Sequence, residues 1–557
     1  MDSRKEKLID QHLVVFILSL GLPLVLYFNR QLDDNRLTSW NWVFHDVGSL
    51  KFLVLLGISL LVAFGVTRIR LQWRPFSLFL VSFLATVFFW SIPEVMVDAA
   101  RYFSQAKQLK IQGIDYFFSE WGNNIFAWTD LPLTPMLYGL VFRFFGENRL
   151  WLQVLNSLFF SGTVLLTYRL GKTLWEEALG MYAGFLLLGF PYIFTQAPLM
   201  LVDIQSMFFL LLAVYSYTCY LKHGGGMRFV TTSCAVLLAL LVKYSAWLYL
   251  SVLVVVFAVF IINSPKRVIL RTALVLGIVL PVAGGLYLFF HDVVNSQMGL
   301  LASYQKSGLH RWGESFVSTF LFQTHPLLTL TALLSIGVAL FKRDVKYLII
   351  SYLVIILILL QIKRSRYIVP VFPMLALMSS YGIMHLRFPE TRKLLVACIV
   401  STSLFVSIGG YLPFLNRMSA KNLQNAGKYL DEQKVKSAWT AVLPQQKNIL
   451  NPDISLPLLD IYTKAVLMRV PTREAGAADR GKIATSSLRF TWEFPLPGYY
   501  TRNEAELRPE GLVVVGSMPD QKLPYGIAFL AKKFKHRKVF NTSTGRFIHN
   551  TVVTVYH

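Results

Sequence analysis

Thirteen long apolar runs, separated by short basic loops, constrain this chain more than any other feature of its sequence. They fall near 12–28, 51–67, 76–92, 150–170, 178–195, 199–221, 229–242, 244–263, 269–290, 317–341, 347–362, 367–386 and 393–414, the run at 229–242 being the shortest. Covering the hydrocarbon core of a bilayer takes about 17 to 25 apolar residues in a helix, so the runs predict about 13 transmembrane helices. Composition agrees: of 557 residues, 55% are hydrophobic and 14% aromatic, beyond what soluble globular chains carry.

A formal net charge of +24 would suggest nucleic acid as the partner of a soluble protein. Here the cations gather between apolar runs. With the N-terminus in the cytoplasm, each even-numbered boundary carries its own set: Arg68, Arg70 and Arg74; Arg169 and Lys172; Lys222 and Arg228; Lys266, Arg267 and Arg271; Lys342, Arg343 and Lys346; Arg387, Arg392 and Lys393. That is the positive-inside pattern, and it puts 29–50, 93–149, 291–316 and the C-terminal tail outside. The charge therefore reads as topology, with no nucleic acid partner and with membrane lipid as a neighbour of the basic residues. The charged segment Met1 to Gln11 leads into a first run without a small-residue cleavage site, so an uncleaved first span is expected. Cys219, Cys234 and Cys398 all sit in apolar runs and suggest neither a disulfide framework nor a metal cluster.

The outer loop 93–149 holds two half-apolar segments, Asp98 to Lys110 and Leu133 to Phe145, suited to helices lying in the membrane interface. Between them, Tyr116 to Trp128 alternates aromatic and polar residues as interfacial belts do. After Tyr411 the long apolar runs stop; a helical pattern at 420–434 and strand-like runs at 512–516 and 551–555 follow. The expected architecture is an all-α polytopic membrane domain over 1–414, including the outer loop, then a small extracytoplasmic α/β domain over 415–557.

Polar residues misplaced among the apolar runs mark the candidate chemistry. Asp98, Arg101 and Tyr102 share a helical face at i, i+3 and i+4. Taken alone, Asp98 is an ordinary helix-opening carboxylate. Asp203 opens the sixth run, where an ionisable group costs about 3 kcal/mol on insertion scales. Lys243 and Tyr244 stand at an outer turn, where a lysine can simply snorkel. Lys363, Arg364, Arg366 and Tyr367 precede the twelfth run on the outer side, where topology disfavours positive charge and an anionic ligand explains it. Asp130 lies in a turn stiffened by Pro132 and Pro135. Carboxylates and cations at one membrane face suit a reaction whose leaving group is a lipid phosphate: an acid takes or orients a proton, and cations stabilise the departing charge. No Gly-rich phosphate loop points to a nucleotide donor. His291, His310 and His325 lack ligand spacing and assign no metal. A lipid or lipid-linked sugar transporter or flippase could use the same charges, but related halves and broken midplane spans are not evident.

The order Asp98-x-x-Arg101-Tyr102, Pro132-Leu133, Asp203, Lys243-Tyr244, then Arg366-Tyr367 followed by Pro370 and Pro373, resembles the GT-C superfamily of integral membrane glycosyltransferases. The protein mannosyltransferase and aminoarabinose transferase branch is the nearest in pattern. The resemblance spans roughly residues 76 to 390. It implies transfer of a monosaccharide from a polyprenyl-phosphate donor to an acceptor glycan, lipid or protein outside the cytoplasm, in a bacterial inner (plasma) membrane. It implies Asp98 as the catalytic acidic residue and Arg101, Lys243 and Arg366 as candidates for the lipid phosphate; beside it, Asp203 is expected as a second catalytic carboxylate that orients the sugar or the first loop, and Tyr102, Asp130, Tyr244, Arg364 and Tyr367 as further substrate-binding groups. It makes no cofactor certain and admits a divalent cation at Asp98, although Ala99 stands where the family often has a second acid.

Overall fold

The computed structural model describes residues 2–69, 74–305, 313–444, 450–470, 480–486, 488–501, 508–546 and 549–557; Arg70 and His310 lie outside the described residues. Each apolar run is helical. Seven helices are long and apolar enough to cross a membrane: Leu8–Phe28, Ser49–Arg68, Arg149–Leu174, Asp203–His223, Tyr244–Ile261, Pro265–Phe289 and Pro389–Leu415. The other runs form shorter or interrupted helices, and the interruptions have local causes. Between 365 and 383 the chain passes from a short helix, Ser365–Ile368, through a 3-10 turn, Val369–Val371, into Phe372–Ile383. Pro370 and Pro373 remove the N–H donors a continuous helix would need. The run predicted at 317–341 is a π-turn at Ser318–Phe322 followed by Pro326–Lys342, a restart fixed by the His325 ring accepting the Leu327 amide and by Pro326 at the first helical position.

The two outer-loop helices form at Asp98–Gln112 and Leu133–Phe145. Gly113, at φ 95°, ends the first in a conformation that side chains resist. The pair crosses so closely at Gly139 that an added Cβ would lie 2.8 Å from Leu109 Cβ and 3.0 Å from the Ala106 carbonyl. The aromatic stretch between them is not a belt. Phe117, Trp121, Ile125 and Ala127 are buried around Leu109 in a small core of their own, because the loop folds back on its own helix.

The C-terminal tail builds a five-stranded sheet from β1 (Ser437–Val442), β2 (Val466–Arg469), β3 (Gly511–Gly516), β4 (Arg537–Phe540) and β5 (Val552–Tyr556), in the order β2-β1-β3-β5-β4. β1 pairs in parallel with β2 and β3, whereas β5 runs antiparallel to β3 and β4. All six residues of β3 are buried, as its uninterrupted Leu-Val-Val-Val core requires of a central strand. The helix Ala420–Glu432 packs on β5 and β4.

The sheet region is fastened to the outer loop. Asp460 accepts from Lys107 Nζ at 2.6 Å and from the Tyr500 hydroxyl at 2.6 Å. The Tyr462 hydroxyl accepts the Glu94 amide, and the Arg149 guanidinium lies 5.5 Å from the Tyr462 ring centre.

Candidate active site

The first turn of Asp98–Gln112 presents Asp98, Arg101, Tyr102 and, one turn on, Gln105 on one face. Arg101 grips Asp130 with two nitrogens, Nε on Oδ2 and a terminal nitrogen on Oδ1 at 2.9 Å. Its other terminal nitrogen stands 3.5 Å from Asp98. Gln105 Nε2 donates to Asp130 at 3.2 Å and to the Phe126 carbonyl at 2.8 Å. Asp130, predicted only as part of a stiff turn, is thus the anchor that holds Arg101.

Two further segments converge on this face. Asp203 opens the helix Asp203–His223, and Lys243 joins Gly226–Val242 to Tyr244–Tyr249. Lys243 Nζ lies 2.7 Å from Asp203 Oδ1, and Arg366 Nε lies 2.7 Å from Asp203 Oδ2. The same guanidinium donates through a terminal nitrogen to Asp98 Oδ2. Arg366 therefore bridges two carboxylates that lie 105 residues apart in sequence. Arg364 donates to the Tyr367 hydroxyl at 3.2 Å, and Lys243 sits 5.5 Å from the Tyr367 ring centre. The Tyr244 hydroxyl donates to Gln297 Oε1 at 2.5 Å, and Gln297 returns a bond to the Asp130 carbonyl at 2.9 Å. All ten residues singled out from the sequence stand in one connected neighbourhood.

Nine of them line a cavity of about 1040 Å³, which also touches 29–50, 291–314 and the C-terminal tail. Asp203 is not among the lining residues. It is fully buried behind the wall, where its carboxylate holds Lys243 and Arg366. Asp98 is 22% exposed and lines the cavity. Burial works against its ionisation, but Arg366 and Arg101 outweigh it and hold the Asp98 carboxyl well below the usual carboxylate range. Burial raises the Tyr102 phenol well above its ordinary value, so at neutral pH it is a proton donor. Three carboxylates balance three fixed cations, and Arg364 joins the cavity wall beside Glu314. The donor set does not suit a divalent cation. Arg366 occupies the space between Asp98 and Asp203, and among the described residues no three His, Cys, Asp or Glu side chains converge as metal ligands.

Three supporting clusters were not anticipated. Glu94 takes Arg149 Nε at 2.8 Å and the Met200 amide at 3.0 Å, tying both ends of the outer loop to the segment before Asp203. Opposite charges bracketing that loop are the sequence signal that could have exposed it. Asp33 is buried and accepts from the Asn35 and Trp40 amides, the Ser318 hydroxyl and Gln323 Nε2. Asn35 in turn reaches Ser365 at 3.2 Å, and Glu314 takes the Ser365 amide at 2.8 Å, fixing the backbone between Arg364 and Arg366.

No family model matches the chain, and no curated protein matches it. Among solved structures, ArnT from Cupriavidus metallidurans bound to undecaprenyl phosphate superposes with a TM-score of 0.50 at 14% identity, over 86% of this chain and 97% of that one. The archaeal oligosaccharyltransferase AglB from Archaeoglobus fulgidus, in complex with an inhibitory peptide and a dolichol-phosphate, gives 0.44 at 11% identity, over 86% and 75%. The likeness to ArnT is one of fold: over most of its length the chain shares the overall architecture of that solved structure.

Proposed function

We propose that this protein is a membrane glycosyltransferase that moves a monosaccharide from a polyprenyl-phosphate carrier to an acceptor hydroxyl on the extracytoplasmic side. The observation that carries the reading is the bridge of Arg366 between Asp98 and Asp203, with Lys243 on the second Asp203 oxygen, at the wall of a cavity large enough for a lipid headgroup and a sugar. The topology that goes with it has thirteen spans, a cytoplasmic N-terminus, and the tail after residue 414 outside, in a bacterial inner membrane. ArnT of the same fold was solved with undecaprenyl phosphate bound, and a lipid phosphate suits the cavity wall where Lys243, Arg364 and Arg366 stand together.

In the reaction, an acceptor oxygen attacks the anomeric carbon from the face opposite the phosphate, inverting it. Asp98, held ionised, takes the acceptor proton. The carbon–oxygen bond to the phosphate breaks, and its electron pair stays on the phosphate oxygen, where Arg366, Lys243 and Arg364 stabilise it. The products are the glycosylated acceptor, the polyprenyl phosphate and a protonated Asp98. Where the acceptor is itself an anion, Asp98 positions it instead. Asp203 is a positioning residue, Arg101 and Asp130 orient the first helical turn, and Tyr102, Tyr244 and Tyr367 offer hydrogen bonds to the sugar or headgroup.

The test is consumption of undecaprenyl-phosphate-linked sugar by purified protein in detergent, without any gradient. Release of undecaprenyl phosphate with transfer to an added acceptor is the expected result. Vesicle-dependent movement of the intact donor without its consumption would instead identify a transporter.

A further inference from the structure

Three segments far apart in sequence meet beside Asp98 in an aromatic wall: Trp128 from the outer loop, Tyr304 from the outer segment after the ninth run, and Phe490 from the C-terminal tail. Trp128 and Tyr304 pack edge to face with ring centres 5.9 Å apart, and Trp128 and Phe490 meet at 6.2 Å. All three line the large cavity, together with Leu488 and Arg101. The Arg101 guanidinium lies 4.7 Å from the Phe490 ring centre, so the tail residue touches the side chain that carries Asp130 and neighbours Asp98.

Trp128 is the telling member. It is 7% exposed and lines the cavity. An indole pairs an apolar ring with one N–H donor, and a ligand entering the cavity can use both. Its backbone has φ 49°, in the left-handed region that bulky side chains avoid. The bond from Gln105 to the Phe126 carbonyl and the grip of Arg101 on Asp130 hold the flanking chain in place.

We infer that Trp128 and Phe490 form a saccharide subsite, in which a sugar ring lays its apolar C–H face on the aromatic wall and offers a ring or hydroxyl oxygen to the Trp128 N–H. An aliphatic polyprenyl tail has no use for an indole donor, and a phosphate would be drawn to Lys243, Arg364 and Arg366 in the same cavity; a sugar has both an apolar face and an acceptor edge. The inference rests on the glycosyltransferase reading and deepens it, because it makes the C-terminal tail part of the active site. The sugar is that of the donor or that of a glycan acceptor, and the two are separable by experiment.

Full-length wild-type protein and the variants Trp128→Phe, Trp128→Ala, Phe490→Tyr and Phe490→Ala are titrated in detergent with undecaprenyl phosphate. They are then titrated with undecaprenyl-phosphate glucose, mannose and 4-amino-4-deoxyarabinose, and KM and kcat are measured for the sugar consumed. The alanine variants should bind the sugar-free lipid as wild type does, which also reports intact folding. They should bind the sugar-bearing donor at least tenfold more weakly if the subsite takes the donor sugar. Unchanged donor affinity with a tenfold higher acceptor KM places the acceptor glycan there. Phe490→Tyr should restore most of the loss, and Trp128→Phe, which keeps a ring but lacks the N–H, should restore part of it. Wild-type parameters for both substrates in both alanine variants would overturn the subsite while leaving the glycosyltransferase reading intact. A wild-type protein that consumes no lipid-linked sugar would overturn both.

Discussion

Two buried aspartates, Asp33 in the wall of the cavity and Asp203 behind it, are satisfied in opposite ways. Asp203 faces an ammonium and a guanidinium at 2.7 Å each, whereas Asp33 is surrounded only by uncharged donors: two amides, a hydroxyl and a carboxamide. Burial raises the Asp33 carboxyl to about 7 even though all four hydrogen bonds favour its anion. The difference separates two jobs. A carboxylate matched by neutral donors knits 29–50 to the π-turn at 318–322 and needs nothing further. A carboxylate matched by cations aims those cations, and their remaining valence is available to an incoming anion at the cavity side.

The sharpest way to break this comparison is at the third aspartate, which shares Arg366 with Asp203 but faces the cavity. Asp98→Asn should lower sugar transfer by about 100- to 10,000-fold, the range of a lost general base, with a smaller loss of stability than Asp203→Ala because Arg366 and Arg101 keep their other carboxylate partners. Turnover assays beside a melting curve would check it, and full turnover in the variant would remove Asp98 from the chemistry. Next in size, Asp203→Ala takes the carboxylate from part-buried Lys243 and leaves buried Arg366 with Asp98 alone, and should cost about 3–5 kcal/mol of stability. Adding Lys243→Met to that variant should recover part of the loss, because one stranded charge is gone. If Asp203→Ala instead melts like wild type, its carboxylate is not the counter-charge the geometry makes it.

Asp33→Asn should cost less, about 1–3 kcal/mol, since the new amide nitrogen would face donors that now have no acceptor. Denaturation midpoints in detergent would rank it against Asp203→Ala, and the reverse order would break the distinction. The smallest effect is one of pH. The folded-state pKa of Asp33 lies above its ordinary value, so folding favours the protonated form. Its contribution is fully present below about pH 4 and is lost as pH rises through about 7. The melting temperature of wild type should therefore decline over that window, and Asp33→Asn should flatten the decline.

What the sequence disclosed follows from how each signal is written. Asp98, Arg101 and Tyr102 announce themselves by helical spacing, and Asp203, Lys243 and Arg366 by the cost of charge next to apolar runs. Their pairing is another matter: Arg366 reaches Asp98 across 268 positions, and nothing local encodes that contact. Asp33 escaped notice because Leu32-Asp33-Asp34-Asn35-Arg36 reads as any polar turn; its burial comes from tertiary packing alone. Phe490 and Tyr462 likewise look like ordinary aromatic residues of a small α/β tail until the tail docks. The helix positions of the outer loop were legible to within two residues, while the aromatic stretch between them was misread because periodic polarity does not reveal which partner a ring will find.

The latch between Lys107 and Asp460 gives the outer-loop helix two fixed points. Asp98 occupies one end, and Lys107 lies nine positions along, about 13 Å at the rise of an α-helix. A stiff rod held at such a distance is a lever. The sheet region and the cavity wall at Asp98 are thus joined through a single helix.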